Sequence, residues 1–150
     1  MKAFTHILFA TDFSEASGDA FAYARELAQV LQAKLTVLHV VHVPMDLRDF
    51  YVPHLSFEEL DREIEEQARK KMAAFSATWQ SLLPGMTTAV VTGQPHEELV
   101  KKALDEQVDL IVMGTHGRRG FDHFIFGSTA EKVVKSAPCP VLTVRPTIKR

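Results

Sequence analysis

Met113 to Thr129 reads MGTHGRRGFDHFIFGST, a glycine-rich segment that joins an apolar run to the start of a helix. The run before it, Val108 to Met113, is short, branched and apolar apart from Asp109, as a buried parallel strand should be. After it, Ser128 with Glu131 three positions on has the spacing of a capping box. In a strand, glycine loop and helix laid end to end, free backbone amides and the positive end of the helix dipole converge on one point. Gly114, Gly117 and Gly127 would let the backbone turn with positive φ and let an anion approach with no Cβ in the way. A phosphate site is one reading, and a plain turn capped by Ser128 is the other; the loop alone leaves both open. The segment matches neither common nucleotide signature. A Walker A loop ends Gly-Lys-Ser/Thr where this one ends Phe126, Gly127, Ser128, and a dinucleotide fingerprint needs tighter glycine spacing directly after the first strand.

Outward from that segment, strands and helices alternate. Ile7 to Ala10 is a short apolar strand that stops at Thr11, Asp12, Phe13 and Ser14, where an N-cap candidate opens a helix. That helix carries Ala16, Ala20, Ala24, Leu27 and Leu31 on one expected stripe, small enough to pack closely on a sheet. Leu35 to Val43 is a second buried strand, interrupted by Thr36, His39 and His42. Met45 to His54 reads as a loop long enough to cover a site, and Ser56 with Glu59, flanked by Leu55 and Leu60, marks the next helix start. The stripe Leu60, Ile64, Ala68, Met72, Phe75, Trp79 and Leu82 follows, broken by Pro84 and Gly85. Thr87 to Thr92 is a third strand. Pro95 suits the first turn of a helix that turns Leu99, Val100, Ala103 and Leu104 inward. The fourth strand and glycine loop lead to a helix with Ala130, Val133 and Val134 inward, then to a last strand Val141 to Val144.

Five strands alternating with helices predict a single α/β domain over residues 1–150, a doubly wound parallel sheet with helices on both faces. Ligands of such sheets bind outside the carboxyl ends of the strands, where strand order reverses. Asp12 and the glycine loop both fall at strand carboxyl ends, so a shared site is expected.

Composition narrows the partners. At 150 residues and 46% hydrophobic content the chain can bury a core without disulfides, and its one cysteine, Cys139 between two prolines, reads as a buried small hydrophobe. The net charge of −2 gives no electrostatic reason to expect nucleic acid. No run of about 18 apolar residues occurs and Met1 to His6 leads straight into a strand, so no membrane association and a cytoplasmic location are expected. The seven histidines lack the spacing of a zinc site, and His39 and His42, three apart on a strand, should face opposite sides.

Taken together the chain resembles the nucleotide-binding branch of the universal stress protein family over essentially its whole length. The resemblance lies in Ile7 to Ser14, in Leu38, His39 and Val40, in Gly93 with Pro95, and in Ala137 to Leu142. Its strongest part is Gly114, two residues, Gly117, nine residues, Gly127 and Ser128, similar to the family's full ATP-binding pattern. The resemblance implies a Rossmann-like fold and an ATP-binding regulatory stress-response protein, a nucleotide-dependent switch or interaction module with an unidentified protein partner. It implies that Asp12 accepts hydrogen bonds from the nucleoside end, with Ala10, Thr11, Val40 and Met113 around adenine and ribose. Gly114, Gly117, Gly127, Ser128 and Thr129 would cradle phosphates, with His116 shaping the loop or touching phosphate. It further implies Mg²⁺ or Mn²⁺ held through the phosphates, and a homodimer through Val141 to Val144. A slow ATP hydrolase or nucleotide-transfer enzyme and a nucleotide-free interaction module are the alternatives. For hydrolysis there is no Walker-type lysine and no obvious catalytic base near the glycine loop except Asp122 or His116, while His123 could face either way.

Overall fold

The computed structural model describes residues 3–42, 57–115 and 127–147. The expected covering loop at 45–54, the Ser56 capping box, and His116 and Gly117 lie outside the described residues. The elements are β1 His6–Ala10, α1 Glu15–Leu31, β2 Lys34–Val41, α2 Phe57–Trp79, β3 Met86–Thr92, α3 Pro95–Asp105, β4 Leu110–Gly114, α4 Ser128–Ser136 and β5 Val141–Val144. The strands form one parallel sheet in the order β3-β2-β1-β4-β5. The chain walks outward from β1 to β3 and then returns to the other side of β1, so the order reverses between β1 and β4. This is the doubly wound α/β architecture expected from the alternation.

Side-chain parity along the strands divides the core. Ile7, Phe9, Leu35, Val37 and Val112 point to the face covered by α1 and α2, among Ala20, Phe21, Ala24 and Met72. Leu8, Leu38, Ile111 and Met113 point to the face covered by α3 and α4, among Leu99, Ala103, Ala130 and Val133. Strands buried on both faces read as continuous apolar runs, which is why periodicity alone did not assign the faces.

The helix stripes differ from the sequence reading in instructive ways. In α1 the buried residues are Ser17, Ala20, Phe21, Ala24 and Ala28, while Leu27 is half-buried and Leu31 exposed. At about 100° per residue this face is rotated by roughly 60° from the expected one. The cause is Phe21, whose ring meets Phe9 at 5.2 Å, Phe75 at 4.7 Å and Trp79 at 5.2 Å. A fully buried aromatic contributes about 1.5–3 kcal/mol, so it sets the helix's rotation ahead of a leucine at the helix end. In α2 the helix stops at Trp79, and in the turn beyond it Leu83 is buried where Leu82 was expected. Leu104 and Val134 are also exposed, because each directly follows a buried residue and is carried about 100° off a narrow stripe. Cys139 is half-buried against the α3/α4 core.

Candidate functional site

β1 ends at Ala10, and the next residues make a tightly bonded turn. The Thr11 N–H donates to the Leu38 carbonyl at 2.9 Å, which ties the end of β1 to β2. The buried Thr11 hydroxyl accepts from the Phe13 N–H at 3.0 Å and from the Ser17 hydroxyl at 2.9 Å. Asp12 Oδ1 accepts from the Ser14 N–H at 2.9 Å, and Ser14 caps α1 through the Ser17 N–H at 3.1 Å. His39 Nδ1 lies 2.7 Å from the Thr11 carbonyl, and since a carbonyl only accepts, that nitrogen carries the proton. Inside this turn Phe13 takes φ 63°, a left-handed conformation that costs a bulky residue about 1–2 kcal/mol.

Across the switch point, β4 ends at Gly114. Thr115 is buried and donates its N–H to the Val144 carbonyl at 3.0 Å, securing β4 to β5. Its own carbonyl takes the Gly127 N–H, which sets the start of α4 beside the end of β4. Gly127 is the N-cap of α4, with φ −64° and ψ 155°, and no side chain caps the helix. Two expectations are corrected here. Ser128 is the first helical residue and not the cap, and the capping box is absent: the Gly127 N–H is already taken by Thr115, while Glu131 pairs with Lys135 at 3.0 Å. Nor do Gly114 and Gly127 supply positive φ, since the former lies in a strand and the latter has an ordinary extended backbone. Their contribution is the missing side chain. The N–H groups of Ser128, Thr129 and Ala130 stand in the first turn, where no preceding helical carbonyl exists to accept them.

The β1 turn and the α4 start wall one cavity of about 1040 Å³, in the size range of small-molecule and cofactor sites. It brings together Ala10, Thr11, Asp12, Val40, Met113, Gly114, Gly127, Ser128 and Thr129, every expected site residue within the described chain. Leu38, Pro95 and Leu99 supply apolar wall. The positive end of the α4 dipole, equivalent to about half a charge, lies at one side of this cavity and the Asp12 carboxylate is part of the same lining.

Several lining residues were missed in sequence. His39 and His42 both line the cavity, contrary to the expected opposition, because His42 lies past the end of β2 at Val41. Phe13 stands against His39 with ring centroids 4.5 Å apart. From α2, Leu60, Ile64, Gln67 and Lys71 also face the cavity. For His39 a signal existed, a polar residue breaking an apolar strand; the α2 residues follow only from where that helix packs.

A parallel, doubly wound sheet with a ligand-sized cleft at its switch point defines the Rossmann-like class of α/β proteins. Within that class, residues 3–145 match the model of the universal stress protein family, and the chain belongs to this family. A universal stress protein of Thermus aquaticus is 36% identical over 143 residues, spanning 95% of this chain and 99% of the relative. The solved structure of the universal stress protein UspA from Lactobacillus plantarum superposes with a TM-score of 0.82 at 30% identity, covering 97% of this chain and all of that one (100%). Two more distant structures share the fold. A universal stress protein in complex with cAMP covers 97% of this chain and 100% of its own at TM-score 0.62 and 23% identity. An Arabidopsis thaliana family protein with AMP bound covers 95% of this chain and 92% of its own at TM-score 0.66 and 19% identity.

Proposed function

We propose that the switch-point cavity binds an adenine nucleotide, ATP in the first instance, and that the bound state alters a surface read by a protein partner. The observation that carries this reading is the convergence on one cavity of Asp12, the first-turn amides of α4, and Gly114 and Gly127. The residues fit the ligand's chemistry. A phosphate chain needs amide donors and close backbone approach, which the Ser128 to Ala130 N–H groups and a Cβ-free Gly127 supply. A ribose needs an acceptor for its hydroxyls, the role of the Asp12 carboxylate, and adenine suits the apolar wall of Ala10, Val40 and Met113. Relatives of the same fold hold cAMP and AMP, both adenine nucleotides. Mg²⁺ or Mn²⁺ would accompany the phosphates and offset their charge beside Asp12 and Glu131. The cytoplasm, rich in ATP, is the compartment this reading requires; among the described residues no helix is long and apolar enough to cross a membrane.

The test is calorimetric titration of the nucleotide-stripped protein with ATP, ADP and AMP in Mg²⁺, with mass analysis of whatever stripping releases. Affinity that falls as phosphates are removed supports the reading, and no binding to any of the three sinks it. The reading includes a homodimer. β5 lies at one end of the strand order, paired on one side with β4, and pairing it with a second copy would cover an open sheet edge. Light scattering at micromolar concentration should give twice the 16.8 kDa chain mass, and a monomer removes that claim.

A further inference from the structure

We propose that His39 is a positioning residue of the cleft: it clamps the Thr11 to Ser14 turn in a left-handed form that presents Asp12 to the nucleoside end of the ligand. What Asp12 meets rests on the nucleotide reading; the clamp rests on the turn's geometry alone.

Along β2 the residues facing α1 and α2 are Leu35, Val37, His39 and Val41, and His39 is the polar member of that row. His39 is half-buried where β2 meets the cavity, and its ring does two things at once. Its Nδ1–H donates to the Thr11 carbonyl at 2.7 Å, the shortest of the bonds that define the turn. Its face lies against Phe13 at 4.5 Å. β2 therefore grips Thr11 from both sides of the residue, the N–H through the Leu38 carbonyl and the C=O through His39. Thr11 in turn holds Phe13 and Ser17 through its hydroxyl. Asp12 lies between the residue so gripped and Phe13, the non-glycine residue at φ 63°. A bulky residue keeps such a conformation only when its surroundings over-determine it, and His39 supplies both a bond and a contact toward that end. Without the clamp Phe13 would relax toward negative φ, and the Asp12 carboxylate on its amino side would turn with it.

The experiment compares wild type, His39→Ala and His39→Asn, whose amide N–H can stand in for Nδ1–H, with Phe13→Gly as a background in which positive φ carries no steric cost. The first readout needs no nucleotide: amide exchange at Phe13 and Ser14 in the stripped protein, followed by NMR. His39→Ala should exchange about tenfold faster at these two amides, with sheet amides unchanged, and His39→Asn should recover protection. Unchanged exchange at Phe13 and Ser14 overturns the clamp. The second readout is affinity for ATP and for inorganic tripolyphosphate. His39→Ala should weaken ATP about tenfold and leave tripolyphosphate within about twofold, and the ATP loss should shrink in the Phe13→Gly background. Equal weakening of both ligands, or an undiminished loss in that background, overturns the proposal. Absence of ATP binding by wild type sinks the nucleotide reading and the Asp12 half with it, while the exchange readout decides the clamp independently.

Discussion

At the amino end of the sheet, polar side chains hold one another; at the carboxyl end they hold a turn whose next neighbour is a cavity. Asp109, buried just before β4, takes the Thr5 N–H at 2.9 Å, the Thr5 hydroxyl at 2.8 Å and the His6 N–H at 3.0 Å on a single oxygen. The His6 ring donates to the Glu106 carbonyl at 3.2 Å and meets the Thr36 hydroxyl at 2.8 Å, and Thr36 continues to Thr87 at 3.1 Å. The cluster thus ties β1, β2 and β3 to the chain between α3 and β4. At the other end Asp12, bonded to the Ser14 N–H, and the first turn of α4 line the cavity. One end of the sheet is closed by its polar residues, and at the other they line a cavity.

Substitutions at the two ends should therefore separate stability from binding. Asp109→Ala removes the acceptor of the buried His6 N–H, while the Thr5 N–H and hydroxyl, on an exposed residue, can turn to water, and a loss of about 2–3 kcal/mol in urea unfolding is expected, with ATP affinity of the folded protein unchanged. A parallel fall in affinity would break the division between the ends. Gly127→Val is the mirror case. On the nucleotide reading it should weaken ATP about a hundredfold or more in calorimetry, because a branched side chain would fill the approach assigned to phosphate. Its unfolding free energy should change by about 1 kcal/mol or less, since φ −64° suits valine and no side-chain cap is lost. Asp12→Asn keeps an acceptor for the Ser14 N–H but removes the charge, so a tenfold weaker ATP affinity is expected at about unchanged Tm. A lower Tm would assign Asp12 to the architecture of the turn ahead of recognition.

The smallest effect concerns Glu106. The Lys102 ammonium, 2.7 Å from its carboxylate, holds that carboxyl below the usual value of 4.5 against an opposing effect of burial. A depressed carboxylate stabilises the fold above its unfolded value and loses that contribution as pH falls through the lower folded one. Wild type should accordingly exceed Glu106→Gln in Tm at neutral pH, with the difference vanishing on acidification below about 4.5. With a side chain 31% exposed, the pair is worth about 1 kcal/mol at most. A difference that grows on acidification would contradict the sign.

Much of the carboxyl end was legible in the chain because its signals are local. Ser14 caps α1 as expected and Pro95 opens α3. The segment after β4 does run into a helix at Ser128. The capping assignment failed by one residue because the Thr115 carbonyl, 12 positions earlier in the chain, takes the Gly127 N–H that a capping box would have engaged. His39 was visible as an oddity in β2, but its partner Thr11 is 28 residues away. At the amino end nothing in the sequence joined Thr5 to Asp109, which are separated by 104 residues.

By itself the sequence determined the alternation of strands and helices, hence the parallel doubly wound sheet, and the placement of Asp12 and the glycine segment at strand carboxyl ends. Those features depend on neighbours within a turn or two, where periodicity, glycine and proline act directly on the backbone. The tertiary structure alone decided the rotation of α1 about Phe21, the contribution of α2 to the cavity, the His39 grip on Thr11 and the closed polar cluster at the amino end. Each of these is set by register and packing between segments far apart in the chain, and such contacts exist only once the sheet has brought the segments together.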